Sequence, residues 1–394
     1  MKILYFLTNY PFYSETFVSE EINQLGIEGH EVVVCNFTWY KKEQEAQQER
    51  IINNSKNPLK LFKSIGQNWF KSQSLFFNRK SLKYIGLCIK ERPNYFWKYV
   101  YMLFSLDYMY AQVSQENFEI AISHFLFKST LAGTLLCGKL EKPYHIRLHT
   151  KRSLYPEVIL REVLNGASAI TAESQDVGEH YQQFLSNPYE IKVIRQSINL
   201  KKLALLKPET MTKEHVEIMA IGRLVEKKGF EVLIEAIANC SAEVIDSIQL
   251  KIYGDGPLKE HLTSLIEDKN LNTTIKLMGK LDHGPLMKVL ANAQMLIVPS
   301  IELQNDIDGV PTVIAEAMAV KTPVVATPIA GIKEMVADGI TGFVVPENDS
   351  QSLANTISRL VLNPSEKTKV VDEAFNKVSK EYKLTLAEEI GSTY

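Results

Sequence analysis

MLIVPSIELQNDIDGVPTVIAEAMAVKTPVVATP, residues 295–328, decides how the rest of the chain is read. Met295-Leu296-Ile297-Val298 is a short unbroken apolar run, the pattern of a parallel strand buried on both faces. Pro299 and Ser300 end it, and a polar loop follows with Glu302, Asp306 and Asp308. Gly309 frees the backbone where something must come close. Pro311 is expected as the first residue of a helix, where its missing N–H would be unpaired anyway. That helix is expected to run from Thr312 to Val320, with Glu316 in its second turn. Lys321-Thr322-Pro323 breaks it, and Val324-Val325-Ala326 is the next strand. A helix start offers free N–H groups and a positive dipole end, which suits a phosphate. Asp308 and Glu316 would repel a bare anion, but they make sense if the ligand also carries hydroxyls, as a sugar and a ribose do. The plainer alternative is that Asp308 only starts the helix and Glu316 is solvated.

Working outward, the preceding segments repeat a strand–loop–helix unit. Val216 to Ile221 reads as a strand, followed by Gly222-Arg223-Leu224-Val225-Glu226-Lys227-Lys228-Gly229 and a helix with Phe230, Leu233, Ile234 and Ile237 at helical spacing. Arg223 and Lys228 bracket this loop and could clamp a diphosphate, a forked guanidinium and a point-charge ammonium meeting two phosphates. Surface charge on a turn is the alternative. Ile248 to Tyr253 is a strand ending at Gly254-Asp255-Gly256-Pro257, a turn expected to let a ligand approach the backbone. Thr274 to Met278 is another strand. Asp282 is expected to cap the helix that follows, with Pro285 near its start.

The first half has the same texture. Ile3 to Leu7 is a strand, a helix follows with Phe17, Val18, Ile22 and Leu25 inward, and Glu31 to Cys35 is the next strand. A β-α-β opening predicts a doubly wound parallel sheet. No glycine precedes Gly26, so the G-x-G-x-x-G fingerprint is missing, against an NAD or FAD dehydrogenase. Glu119 to Ser123 and Pro143 to Leu148 are strands that deliver His124 and His149 at their carboxyl ends, where open α/β sheets bind ligands. His124 reads first as a packed core histidine. His149, followed by Thr150-Lys151-Arg152, reads as a functional one. Ser168 to Ala172 and Ile191 to Ile194 complete the strands of this half. Residues 201–215, rich in Lys, Thr, Glu and Pro, read as a linker.

A chain of 394 residues is too long for one ordinary core, so two domains are expected. Apolar residues at 45% and charged ones at 23% are globular composition. A net charge of −2 argues against a general nucleic-acid binder. Cys35, Cys88, Cys137 and Cys240 lie far apart without metal-ligand spacing, which fits a reducing cytoplasm and no zinc site. The apolar start is too short for a signal core, and the longest candidate span, residues 99–113, is broken by Ser105 and Asp107. Residues 51–100 stand apart, with ten basic residues against one acid, Glu91, interleaved with Leu59, Phe62, Trp69, Phe70, Phe76 and Phe77. Helices lying on an anionic membrane surface would have this composition. An inserted cap with apolar residues inward and lysines solvated would have it too.

Taken together, Gly222-Arg223-Leu224 with Lys228-Gly229, Gly254-Asp255-Gly256-Pro257, Val298-Pro299-Ser300, Asp308-Gly309-Val310-Pro311 through Glu316-Ala317-Met318-Ala319, Pro323 to Ala326 and Gly331-Ile332-Lys333-Glu334 resemble the retaining glycosyltransferases of family 4. The resemblance covers roughly Val216 to Pro346. It is weaker in the first half, through Ser14-Glu15-Thr16-Phe17, Gly29-His30-Glu31-Val32, His124-Phe125 and His149. The Ser-Glu-Thr-Phe loop is similar to that of transferases building bacterial exopolysaccharide of the colanic-acid type. This implies the GT-B architecture, an α/β fold of two Rossmann-like domains facing across a cleft. Residues 1–200 would be the acceptor domain with a basic insert at about 41–110, residues 216–375 the donor domain, and residues 376–394 a helix packing back. It also implies transfer of a sugar from UDP- or GDP-sugar, with retention and without a metal or other cofactor, to a lipid-linked or polysaccharide acceptor at the inner face of the plasma membrane.

By the same resemblance Arg223 and Lys228 hold the diphosphate and Glu316 the ribose. Asp308 stands where the family usually has glutamate, the first acid of a pair contacting donor-sugar hydroxyls. His149 lies near the reacting carbon. Gly254, Gly256, Gly309, Val310 and Thr312 line the donor site, and Ser14, Glu15, Thr16 and His124 lie on the acceptor side. The shorter Asp308 leaves open a degenerate nucleotide-sugar-binding protein, and a nucleotide-sugar epimerase or hydrolase of the same architecture is a further alternative.

Overall fold

The computed structural model describes residues 1–8, 10, 16–37, 50–55, 57–70, 74–186, 191–196, 198–206, 214–303 and 310–382. The chain divides into two compact units, Met1–Glu173 with Val177–Ile194, and Arg195–Leu384 with Ser174–Asp176. The first unit ends at Ile194, six residues before the expected boundary at residue 200, and the stretch read as a linker opens within a helix, Leu200–Ala204, that buries Leu203.

In the first unit, β1 (Lys2–Leu7), β2 (Glu31–Asn36), β3 (Arg50–Asn53), β4 (Ile120–His124), β5 (Tyr144–Leu148), β6 (Ala169–Ala172) and β7 (Lys192–Val193) form one parallel sheet in the order β3-β2-β1-β4-β5-β6-β7. Alternate residues of the strands feed opposite cores. Leu4, Phe6, Val33 and Cys35 pack on one face, and Ile3, Tyr5, Leu7 and Val34 on the other. That two-sided burial is why the strands read as apolar runs.

In the second unit, β8 (Val216–Ile221), β9 (Ile248–Tyr253), β10 (Ile275–Gly279), β11 (Met295–Val298), β12 (Val324–Ala326) and β13 (Phe343–Val344) form a second parallel sheet, ordered β10-β9-β8-β11-β12-β13. The order reverses between β8 and β11, and the crevice beyond the carboxyl ends of these strands is the topological switch point. The helix after β11 runs Thr312–Ala319, with Pro311 at the N-cap in extended backbone rather than at the first helical position. Asp282 does occupy the N-cap before His283–Ala291, yet its side chain makes no cap hydrogen bond.

The insert between β3 and β4 folds as helices Pro58–Phe70, Arg79–Glu91 and Phe96–Val113. Its apolar residues split into two sets. Leu61, Ile65, Leu75, Tyr84 and Ile85 are buried, as a cap requires, whereas Trp69, Phe70, Phe77 and Trp97 are 60%, 85%, 54% and 77% exposed. Asp107, which interrupts the apolar helix Phe96–Val113, ties residues 74–76 to that helix. Its buried carboxylate accepts from Ser74 Oγ at 2.8 Å, from the backbone N–H of Leu75 and Phe76 at 2.9 Å each, and from Asn68 Nδ2 at 3.1 Å. Ser74, Leu75 and Phe76 are thereby tied down, and Trp69 stacks obliquely with Phe70 and Phe77, ring centroids 5.6 and 6.0 Å apart.

Gly229 sits at φ +64°, and a Cβ there would overlap the Pro299 carbonyl oxygen. Replacing it with alanine adds strain and a backbone clash together, so Gly229→Ala is expected to destabilise the second unit by about 2–4 kcal/mol. A urea midpoint equal to that of the unsubstituted chain would contradict this.

Candidate functional site

The carboxyl edge of the second sheet is assembled from loops that touch backbone to backbone. Gly254, at φ +147°, leaves no room for a Cβ because the Gly222 carbonyl fills that space, and Gly256 is closed off in the same way by Leu224. The glycines of the β9 turn thus let a neighbouring loop approach. Hydrogen bonds lock the same loops. Gly222 N–H donates to Tyr253 O at 3.0 Å, Leu224 N–H to Asp255 O at 3.0 Å, and Ile301 N–H to Lys227 O at 2.9 Å.

This interlock presents Arg223, exposed, and Lys228, half-buried, on one loop between β8 and the helix Phe230–Ala238. Gly222 makes space for the lysine, because a Cβ there would press on Lys228 Cδ and Cε at 3.3 Å. Thr312 opens the helix after β11, and Val310 is buried just before it. Asp308 and Gly309 lie outside the described residues, as do Ser14 and Glu15, and Thr16 is described only as the first residue of helix Thr16–Ile27. Glu316 is not solvated. It is 7% exposed, and its Oε1 lies 2.7 Å from Nε2 of His283, the first residue of His283–Ala291. His283 was missed from the sequence because nothing in its spacing relates it to an acid on another helix.

The first unit holds a separate cluster around His149. His124 and His149 stand at adjacent strand ends with rings nearly parallel, and His124 Nδ1 lies 2.9 Å from His149 Nε2. His149 Nδ1 faces Glu173 Oε2 at 3.0 Å, and His124 Nε2 faces Glu21 Oε1 at 3.2 Å. Glu21 also accepts from the Tyr5 hydroxyl at 2.6 Å and pairs with Arg147. Burial raises the Glu21 carboxyl, but Arg147 and then His124 outweigh it and hold it well below the ordinary carboxylate range. Burial pushes His124 down to about 4 and His145 down to about 3.

Phe17 and Phe125 cover His149, with ring centroids 5.0 and 4.6 Å away. Phe125 is held at φ +63°, a left-handed conformation that costs a side-chain-bearing residue of order 1–3 kcal/mol. Glu21, Arg147 and Glu173 escaped the sequence reading. One signal was present, since Glu21 falls on the same helical face as Phe17, Val18, Ile22 and Leu25, an acid on an apolar stripe.

Comparison with known proteins follows this division. Residues 205–377 match the family of glycosyl transferases group 1. The putative colanic acid biosynthesis glycosyltransferase WcaL of Escherichia coli K12 is 31% identical over 195 residues, 49% of this chain and 48% of that protein. The amylovoran biosynthesis glycosyltransferase AmsK of Erwinia amylovora is 32% identical over 199 residues, 50% of this chain and 48% of that protein. The matched stretch thus spans about half the length of these curated relatives. The crystal structure of Anabaena Alr3699/HepE, in complex with UDP and glucose, superposes with a TM-score of 0.73 at 19% identity, covering 100% of this chain and 99% of that one. The fold is GT-B, two parallel-sheet α/β units, as expected from the sequence.

His124 and His145 stay neutral in the fold but take protons when unfolded below pH 6.5, so the unfolded state binds more protons there. Stability is therefore expected to fall as pH drops from 6.5 towards 4, by up to about 1.4 kcal/mol per pH unit for each histidine. Urea midpoints that stay level across that range would contradict the burial of these rings.

Proposed function

We propose that this chain, whose residues 205–377 match the group 1 glycosyl transferases, is a retaining glycosyltransferase of exopolysaccharide biosynthesis that takes its sugar from a nucleoside-diphosphate sugar. The observation that carries the reading is the loop after β8, which brings an exposed guanidinium and an ammonium to the switch point of a parallel sheet beside a helix start. Arg223 and Lys228 hold the two phosphates. They stabilise the charge that develops as the bond from the sugar anomeric carbon to the phosphate oxygen breaks. A new bond forms from that carbon to the acceptor oxygen, and the acceptor proton passes to the departing phosphate on the same face. The two fixed cations take the place of a metal. Glu316, oriented by His283, accepts from the ribose hydroxyls. The Alr3699/HepE structure carries UDP, which makes UDP the first nucleotide to try.

The acceptor is read as lipid-linked, with the insert resting on an anionic membrane surface at the cytoplasmic face. Support comes from the excess of basic residues in 51–100 and from the exposed ring group Trp69, Phe70 and Phe77 that Asp107 holds in place. No helix among the described residues is long and apolar enough to cross a membrane.

The transferase reading is tested by UDP release from UDP-hexose with and without a lipid-linked saccharide acceptor, in EDTA. Acceptor-dependent release is expected, with Arg223→Ala lowering it about 10²–10³-fold. Binding without release would favour the degenerate alternative, and acceptor-independent release the hydrolase.

Membrane attachment predicts that vesicles of mixed anionic and neutral phospholipid sediment the full chain. Sedimentation should fall at high salt and on replacing Trp69, Phe70 and Phe77 together by serine. Equal sedimentation with purely neutral vesicles would overturn the electrostatic part.

A further inference from the structure

The first sheet, ordered β3-β2-β1-β4-β5-β6-β7, reverses direction of growth between β1 and β4, so its topological switch point lies beyond the carboxyl ends of these two strands. Thr8 follows β1, and its hydroxyl lies 3.0 Å from that of Ser129, tying the two strand ends together. Lys128 immediately precedes Ser129 and opens the helix Lys128–Leu140. Packed residues hold the chain between His124 and Lys128. Phe125 lies on His149 with ring centroids 4.6 Å apart, and Phe127 stacks on Phe125 at 5.2 Å. Leu126 bridges to Ser153, whose carbonyl accepts from Arg92 at 3.4 Å. Lys128 therefore stands at the switch point, next to the strand ends that carry His124 and His149.

Its surroundings do not compensate its charge. Lys128 is half-buried, and no acid among the described residues offsets its ammonium. Burial holds its pKa below that of an ordinary lysine, and the like charge of Lys98 pushes it further down. Lys98 lies in the first turn of Phe96–Val113, exposed, with its ammonium 4.7 Å from the centroid of the Tyr95 ring. Two cations thus meet where water is partly excluded, although a lysine stem is long enough to carry its charge out to solvent. For folding alone this is a cost. An anion arriving from solution turns the mutual repulsion into attraction for both.

We propose that Lys98 and Lys128 form an anion subsite at the switch point of the first unit, and that its occupant is the phosphate of a lipid-phosphate-linked acceptor. Two separate ammonium groups suit a phosphate, whose oxygens point in several directions, better than a flat carboxylate. The lipid side of the assignment comes from Phe96 and Trp97. Both are exposed, edge to face with ring centroids 5.0 Å apart, and both immediately precede Lys98. An apolar surface beside paired cations complements a phosphate that carries an apolar chain. Naming the acceptor as the phosphate's owner rests on the transferase reading. The subsite itself does not.

The probe is farnesyl monophosphate at submicellar concentration, titrated calorimetrically into the full chain, with farnesol and inorganic phosphate beside it. All chains in this comparison carry Arg223→Ala, which weakens the cation clamp of the second unit. The phosphate ester is expected to bind at least about tenfold tighter than farnesol or inorganic phosphate. Lys98→Gln together with Lys128→Gln should lower its affinity by about tenfold or more, and Lys128→Arg should retain it. Undiminished binding in the double variant, or farnesol bound as tightly as its phosphate, would overturn the subsite. Inorganic phosphate bound as tightly as the ester would overturn the lipid assignment and make free phosphate the occupant.

Folding gives a second readout. The double variant relieves a repulsion, so it should melt no lower than its parent. A lower melting temperature would show that the two lysines hold the fold, against the proposal. With Arg223 restored, the double variant should raise the KM for a lipid-phosphate-linked saccharide and leave that for the donor unchanged. A chain that binds farnesyl phosphate through the lysines but releases no UDP with any acceptor would sink the transferase reading and leave the subsite standing. Turnover indifferent to the double variant would do the reverse.

Discussion

The second unit depends on a steric constraint at the carboxyl edge of its sheet. Three parallel strands, β8, β9 and β11, end side by side, and each must send its loop over the others. There is room for backbone only. The Gly222 carbonyl occupies the place of a side chain at 254, Leu224 that of one at 256, and the Pro299 carbonyl that of one at 229. Because the loops are locked this way, the guanidinium of Arg223 and the ammonium of Lys228 arrive on a fixed base. Preorganised cations of this kind need no rearrangement when charge develops on a leaving phosphate.

The two units solve the problem of charge in opposite ways. In the second, Arg223 stands exposed at the switch point, where it can meet an anion from solution. In the first, Glu21, Arg147, His124, His149 and Glu173 are all withdrawn from water and satisfy one another. Such a cluster is poor evidence for stability, since desolvating its charges offsets much of the attraction. Its value is geometric. It sets the two histidine rings nearly parallel under Phe17 and Phe125.

Most of the strands were legible because each is buried on both faces and reads as a short apolar run. β3 was not, because Arg50-Ile51-Ile52-Asn53 is an edge strand of four residues with polar ends. The loop glycines announced a close approach, but composition cannot say whether ligand or backbone makes it. The insert was legible as a mixture only. Separating Leu61 and Ile65 from Trp69 and Phe70 required the turn that Asp107 clamps, and a buried acid in an apolar helix is a signal of that clamp only in retrospect. Glu316 was seen and its partner His283 was not, since they meet only when two helices pack.

The central claim is that the locked loops of the second unit bind a nucleoside diphosphate through Arg223 and Lys228. Thermal unfolding of the full chain with UDP or GDP in the presence of EDTA tests it most directly, because a ligand that binds only the native state raises the melting temperature. The account predicts a rise with one of the two nucleotides, lost in Arg223→Ala although that variant melts normally alone. No rise with either nucleotide, or an equal rise in the variant, would contradict it.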